Sequence, residues 1–283
     1  MRYGMPYQGS KSRIAEWVVD TLPKSHTLVD LFAGGGAVTH CALVKGKFER
    51  IIANDMTDTM QVFMAAAHGE FKNFSKVLTR EDFMSTEDTA LKILYSFGNN
   101  SKGYLWSDEL ESFKVPATKM LSAPSLHERR MAYRDFCSKF LDFIKSDSDG
   151  SMRLQPLERL QNMQNLEALE RLEALERLEV LQGDYRLVDI PEGSTVYADP
   201  PYRDTDITAY GGQFDFDAFD AWLGGVDFPV YVSEYTAPRG CVEIACKSHT
   251  SSMPAKCNTK TVERIFVQER FADQYEPDQG RLF

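Results

Sequence analysis

Residues 27–44 read TLVDLFAGGGAVTHCALV. The first six form a short apolar run rich in strand formers, and Gly34-Gly35-Gly36 follow almost at once, opening a stretch suited to a helix. A second apolar run, FERIIANDM at 48–56, ends in Asn54 and Asp55, so the simplest arrangement for 27–56 is two parallel strands joined by a helix. Four more strand signals come late: STVYADPP (194–201), FPVYVSEY (228–235), CVEIAC (241–246) and TVERIFVQ (261–268). Together they predict an α/β protein built on a mostly parallel sheet with helices on both faces. At about 150 residues per domain, 283 residues hold one large domain or two modest ones.

Between the early and late strands lie about 120 residues of different character, long enough for an inserted subdomain by the usual domain sizes. Residues 70–150 are compatible with helix and carry aromatic-rich stretches such as LYSFGNNSKGYLW (94–106) and MAYRDFCSKFLDFI (131–144). Residues 154–183 form five hexads, LQPLER, LQNMQN, LEALER, LEALER and LEVLQG, with Leu or Met at every third position. A step of three advances about 300° around a helix, so the apolar row drifts around the axis and is no coiled-coil heptad. The alternatives are a helix with apolar contacts on all sides or a short solenoid, serving either as a spacer, which we favour, or as a surface for self-association. The expected division is therefore 1–69 with 178–283 as the catalytic sheet, 70–150 as the insert, and 154–183 as the hexad repeat.

Charge is unevenly spread. The chain has 42 Asp+Glu against 32 Lys+Arg, a formal charge of −10 that, as a total, argues against a nucleic-acid partner. Residues 114–145, however, hold seven Lys/Arg against three acids, a net of +4, while residues 183–220 hold nine acids against Arg186 and Arg203. No apolar run suits a signal peptide or a membrane span, and a soluble cytoplasmic protein is expected. Five scattered cysteines (Cys41, Cys137, Cys241, Cys246, Cys257) argue for reduced thiols. Cys241, Cys246, His249 and Cys257 match no standard zinc spacing, so no metal site is expected.

Two motifs carry chemistry. The turn Phe32-Ala33-Gly34-Gly35-Gly36 lets backbone approach a ligand and points helix N-terminal amides at it. It lacks the third glycine of the dinucleotide fingerprint, Thr39 standing there instead, although Asp55 sits 19 residues after Gly36 as a ribose-binding acid should. A plain strand-to-helix connection is the bland alternative. The second motif, Asp199-Pro200-Pro201-Tyr202, ends an apolar strand. Its prolines fix φ and donate no amide hydrogens, leaving the Asp199 carboxylate and Pro200 carbonyl as rigid acceptors for a planar NH2 group. Tyr202 offers a face on which a planar base could stack.

In this order, the two motifs resemble those of DNA adenine N6-methyltransferases that use S-adenosylmethionine, with the cofactor motif first and the target-recognition region inserted between. The resemblance spans Pro6-Tyr7-Gln8-Gly9-Ser10-Lys11, Asp30 to Gly36, Asn54-Asp55, Ser96-Phe97-Gly98-Asn99-Asn100, Gly183-Asp184-Tyr185, Asp199 to Tyr202 and Ser233-Glu234-Tyr235. It implies a Rossmann-like methyltransferase sheet with a mainly helical target-recognition insert, working in a bacterial or phage-infected host. It implies further that Tyr7, Lys11, Asp30, Phe32, Gly34 and Gly36 surround the methionine end of the cofactor, Lys11 meeting its carboxylate. Asp55 would accept the ribose hydroxyls, Asp184 the adenine amino group, and Tyr185 would pack on that ring. Asp199 and Pro200 would accept both hydrogens of the target amine, drawing its nitrogen toward sp3 geometry, with the base flipped out of double-stranded DNA and stacked on Tyr202. Lys102, Lys114, Lys119, Arg129, Arg130 and Arg134 are the candidates for DNA contacts. Three other classes stay open: an RNA exocyclic-amine methyltransferase, a non-catalytic DNA-binding or assembly protein on a degenerate core, and, disfavoured by Thr39, a dinucleotide oxidoreductase.

Overall fold

The computed structural model describes residues 3–7, 9–70, 78–96, 99–106, 174–203, 214–250 and 260–275, with some positions between 108 and 138. The chain divides into two compact units, one made of 11–60 and 173–283 with Met1, the other of 2–10 and 61–172. No described helix is long and apolar enough to cross a membrane.

The first unit contains α1 (Ala15–Thr21), β1 (Thr27–Asp30), α2 (Ala37–Lys45), β2 (Arg50–Asp55), β3 (Leu178–Gln182), β4 (Thr195–Ala198), α3 (Phe216–Gly225), β5 (Val230–Glu234), β6 (Cys241–Thr250) and β7 (Lys260–Gln268). Its seven strands lie in the order β3-β2-β1-β4-β5-β7-β6. The first five run parallel, and β7 is antiparallel to both β5 and β6. This is the expected α/β sheet, mostly parallel and closed at one end by a hairpin. Every residue of β1, β4 and β5 is buried, as parallel strands covered on both faces require, which is why each reads as a continuous apolar run rather than an alternating one.

Three local devices set the edges. In α1, Ala15, Val18 and Val19 share a buried stripe, and the helix packs on α2. Gly46, at φ +63°, ends α2 by donating its amide to the carbonyls of Ala42 and Leu43. Arg177 then donates to the carbonyls of Leu43 and Phe48, a cation at a helix C-terminus, and this ties the start of β3 to the end of α2. The last hexad of the leucine row, LEVLQG, is therefore part of the sheet: β3 pairs with β2 from Ile51↔Leu178 to Asp55↔Gln182. This corrects the spacer reading for 178–182, where a waiting parallel partner outweighs the helical look of the repeat. Residues 154–173 lie outside the described residues.

On one face of the sheet, α3 starts at Asp215, whose carboxylate accepts the Ala218 amide. It buries Phe219 and Leu223 against Val29, Leu31, Ile52, Val196 and Val232. Phe32, Tyr185, Phe214, Phe219 and Trp222 interlock there, with Phe32–Tyr185 centroids at 4.9 Å and Tyr185–Trp222 at 5.0 Å.

In the second unit, Thr79 and Asp82 form a capping box at the helix Arg80–Ser85, and Asp88 caps the helix Thr89–Leu94. Tyr104 packs on Phe83 and donates its hydroxyl to the Leu78 carbonyl. The helix Thr59–Ala67 begins at the end of the first unit.

Phe219 is the central contact of α3, so Phe219→Ala is expected to destabilise the protein by about 3–5 kcal/mol, measured by urea unfolding.

Candidate active site

Both motifs lie at the carboxyl ends of adjacent strands, where open α/β sheets bind ligands. Strands β1 and β4 are in register, Asp30 opposite Tyr197, and the Leu31 amide continues the ladder to the Tyr197 carbonyl. Beyond β1 the chain turns through Gly34 and Gly36, whose φ values of +50° and +71° explain the need for glycine. Asn54 holds this turn in place. Its side-chain amide donates to the carbonyls of Leu31 (3.1 Å) and Gly183 (3.0 Å), while its own carbonyl accepts the Ala33 amide. Asp55 accepts the Gly34 amide on one oxygen (2.8 Å), and the Thr57 amide and hydroxyl on the other. Three of roughly four acceptor positions on its carboxylate are thus engaged.

At the end of β4, Pro200, Pro201 and Tyr202 are buried and the Asp199 side chain is 16% exposed. The Lys11 ammonium lies 2.8 Å from Asp199 Oδ1, 3.6 Å from Glu263 Oε1 on β7, and 4.5 Å from the Tyr202 ring centroid. Tyr202 donates its hydroxyl to Glu263 and meets the edge of Tyr235 at 4.5 Å. Around them, Tyr197 and Ser233 share a hydrogen bond between hydroxyls, the Arg203 amide donates to Glu234, and the Arg203 guanidinium pairs with Asp220 of α3 at 2.6 Å.

Desolvation dominates the electrostatics. Burial raises Asp199 to about 6, against the lowering effect of Lys11 and with repulsion from Glu263. Glu234 is raised to about 7 by burial, opposed by the amides of Tyr235 and Arg203. Asp30, 1% exposed, is raised to about 7 by burial, opposed by the Thr39 hydroxyl, which donates to it at 2.8 Å. Thr39, the residue that spoils the dinucleotide fingerprint, is therefore the partner of a buried acid. Arg186 does the opposite to Asp184, lowering it by hydrogen bonding and charge.

Such a site, a glycine turn stitched to an acidic strand end beside a proline-locked carboxylate, matches one known family by sequence. The family model of D12 class N6 adenine-specific DNA methyltransferases matches residues 7–223. The chain belongs to that family. No curated protein matches it. Among solved structures, the methyltransferase is similar to the rRNA methyltransferase AviRa from Streptomyces viridochromogenes, at 16% identity and a TM-score of 0.36, covering 93% of this chain and 85% of that one. It is similar also to the putative RNA methyltransferase PH1948 from Pyrococcus horikoshii, at 10% identity and 0.36, covering 89% and 79%. The putative methylase HI0767 from Haemophilus influenzae follows at 12% and 0.32, covering 90% and 88%.

Within the first unit the fold brings Lys11 to Asp199 and Tyr202, and joins the Gly34 turn to Asp55. Phe32 and Tyr185 meet in the aromatic cluster under the turn, Tyr185 being 9% exposed, and Asp184 pairs with Arg186. Tyr7, half-buried, and the exposed Lys102, Arg130 and Arg134 belong to the second unit. Lys114, Lys119 and Arg129 lie outside the described residues, as do Phe97, Gly98, Cys137 and Cys257. Among the described residues no group of three or more His, Cys, Asp or Glu is arranged to hold a metal. Sequence reasoning missed Glu263, Arg203 and Asp220, and gave Glu234 no role. The signal for Glu263 was an acid in the same alternating row as Ile265 and Val267.

Because Asp30 binds its proton more tightly when folded, its protonated form stabilises the methyltransferase at low pH, and that contribution is lost as pH rises from about 4 through about 7. Asp30→Asn stays neutral throughout, so its stability relative to wild type should grow between pH 5 and pH 8 in thermal unfolding. Parallel curves would contradict the assignment.

Proposed function

We propose that this methyltransferase transfers a methyl group from S-adenosylmethionine to N6 of an adenine flipped out of double-stranded DNA. The observation that carries the reading is the proline-locked Asp199 at the end of β4, level with the glycine turn after β1 and beside Lys11. The residues present suit the cofactor. Gly34 and Gly36 take the left-handed backbone of the turn, with Gly34 half-buried, and the Asp55 carboxylate suits hydroxyl donors. Asp30 Oδ1 is buried without a hydrogen-bond partner of normal geometry, an acceptor left over close to the turn. Asp55 would hold the ribose, Asp184 the adenine amino group beside Tyr185, and Lys11 with the Phe32–Gly36 turn the methionine end; when bound, the sulfonium supplies an activated methyl group.

The chain's own part is to prepare the nitrogen. Adenine N6 is a poor nucleophile because its lone pair is delocalised into the ring. Asp199 and the Pro200 carbonyl accept its two hydrogens and favour the geometry in which that lone pair is available. The prolines keep both acceptors fixed, so little reorganisation is needed as positive charge develops on nitrogen. Proximity does the rest, without a covalent intermediate on the enzyme. Asp199 must be ionised to accept in this way, and burial, by raising its pKa to about 6, puts the acid limb of the activity profile near pH 6. Tyr202, walled by Lys11 and Tyr235, lines the place where the base would stack. Flipping costs a few kcal/mol, which stacking partly offsets. Sequence recognition would fall to the second unit, with Lys102, Arg130 and Arg134 and the sequence candidates Lys114, Lys119 and Arg129 as phosphate contacts.

Duplex DNA incubated with methyl-labelled S-adenosylmethionine should gain label as N6-methyladenine. Asp199→Ala should lower the rate roughly a hundredfold or more, and the wild-type rate should fall below about pH 6. Label appearing in RNA instead, or full activity in Asp199→Ala, would contradict the reading.

A further inference from the structure

Strand β7 places an acid where its pattern calls for an apolar side chain. Glu263, Ile265 and Val267 occupy one face of the strand, and all three are buried, Glu263 at 2% exposure. A carboxylate there is costly unless it is paired and hydrogen-bonded. Its partners are supplied by the candidate active site: the Tyr202 hydroxyl donates to it, and the Lys11 ammonium stands 3.6 Å away. The β5–β7 ladder runs from Val232↔Phe266 to Glu234↔Arg264, so Glu263 falls one step beyond the end of β5, next to the Tyr235 that walls the Tyr202 ring. Tyr202 carries the only side-chain polar group of the tetrapeptide besides Asp199, and that hydroxyl donates to Glu263. Lys11, for its part, serves two carboxylates from one position, Asp199 on the end of β4 and Glu263 on β7.

We propose that Glu263 is a positioning residue for methyl transfer, anchoring the Tyr202 ring through its hydroxyl and drawing part of the Lys11 charge away from Asp199, so that Asp199 stays available to the target amine. This rests on the function proposed above. Asp199 also faces Asp30 from β1, Tyr197 from β4, Glu234 and Tyr235 from the end of β5, and Tyr202 from its own segment. Among the described residues Lys11 is the cation acting on it, and repulsion from Glu263 acts in the opposite direction. Removing the Glu263 charge strengthens the hold of Lys11 on Asp199, making Asp199 the stronger acid and a more occupied acceptor.

The test is Glu263→Gln, which keeps the shape and an oxygen for the Tyr202 hydroxyl but removes the charge. At neutral pH kcat should fall about tenfold, about 1.4 kcal/mol in barrier, while the acid limb of the rate profile moves to lower pH than in wild type. Tyr202→Phe, which keeps the ring and loses the anchor, should also lower kcat, and the double variant, which loses the charge and the anchor together, should be worse than either single one. Unchanged kcat and limb in Glu263→Gln would overturn the proposal. So would a loss that follows the folded fraction with an unmoved limb, because a merely structural acid would give that result. Should Glu263→Gln fail to fold, wild-type kcat in Tyr202→Phe would overturn it instead. Wild-type protein that methylates no adenine would sink the underlying function together with this role, whereas an active wild type with an indifferent Glu263→Gln would sink the role alone.

Discussion

Two parallel strands end level, and the site depends on it. With Asp30 opposite Tyr197 and the Leu31 amide on the Tyr197 carbonyl, the glycine turn after β1 and the tetrapeptide after β4 leave the sheet side by side. A parallel sheet allows this because each strand returns through a crossover and delivers its carboxyl end to the same edge. Asn54 and Asp55 extend the arrangement to β2, and the Gly183 carbonyl, held by Asn54, extends it to β3. Four strand ends are thus tied together by the strand ladder and by the side chains of Asn54 and Asp55.

The same edge concentrates buried acids. Asp30, Asp199, Glu234 and Glu263 stand there, three of them raised above their usual range by burial, and Lys11 is the cation shared between two. The positively charged methyl donor proposed above, and an amine that becomes cationic during transfer, would have use for such a surplus of acceptors. Much of the −10 total becomes intelligible in that light. Among the described residues of 183–220, some acids stand in pairs, Asp184 with Arg186 and Asp220 with Arg203. A whole-chain sum hides a local design.

Strands β1, β2, β4 and β5 were legible because each is an apolar run with turn residues on both sides, a pattern that burial on two faces imposes. The strand Leu178–Gln182 was not, since LEVLQ shares its frame with LEALER; the choice is made by the open edge of β2 and by Arg177, neither of which is local. In the site, residues belonging to compact motifs could be read directly: Asp199 with its prolines, and the glycines with Asp55. Glu263 could not be paired with Tyr202 from sequence, since the two are 61 positions apart and meet only through the β5–β7 register. Thr39 looked like a defect in a glycine motif until Asp30 was seen to need its hydroxyl.

On the proposed function, the ends of β1, β2 and β4 form one methyl-transfer site. A crystal structure with S-adenosylhomocysteine, the product left after transfer, would reveal it. The ribose is expected on Asp55, the amino-acid end over the Phe32–Gly36 turn near Lys11, and the sulfur on the side of Asp199. Product bound away from the glycine turn, or bound there with its sulfur directed away from Asp199, would contradict it.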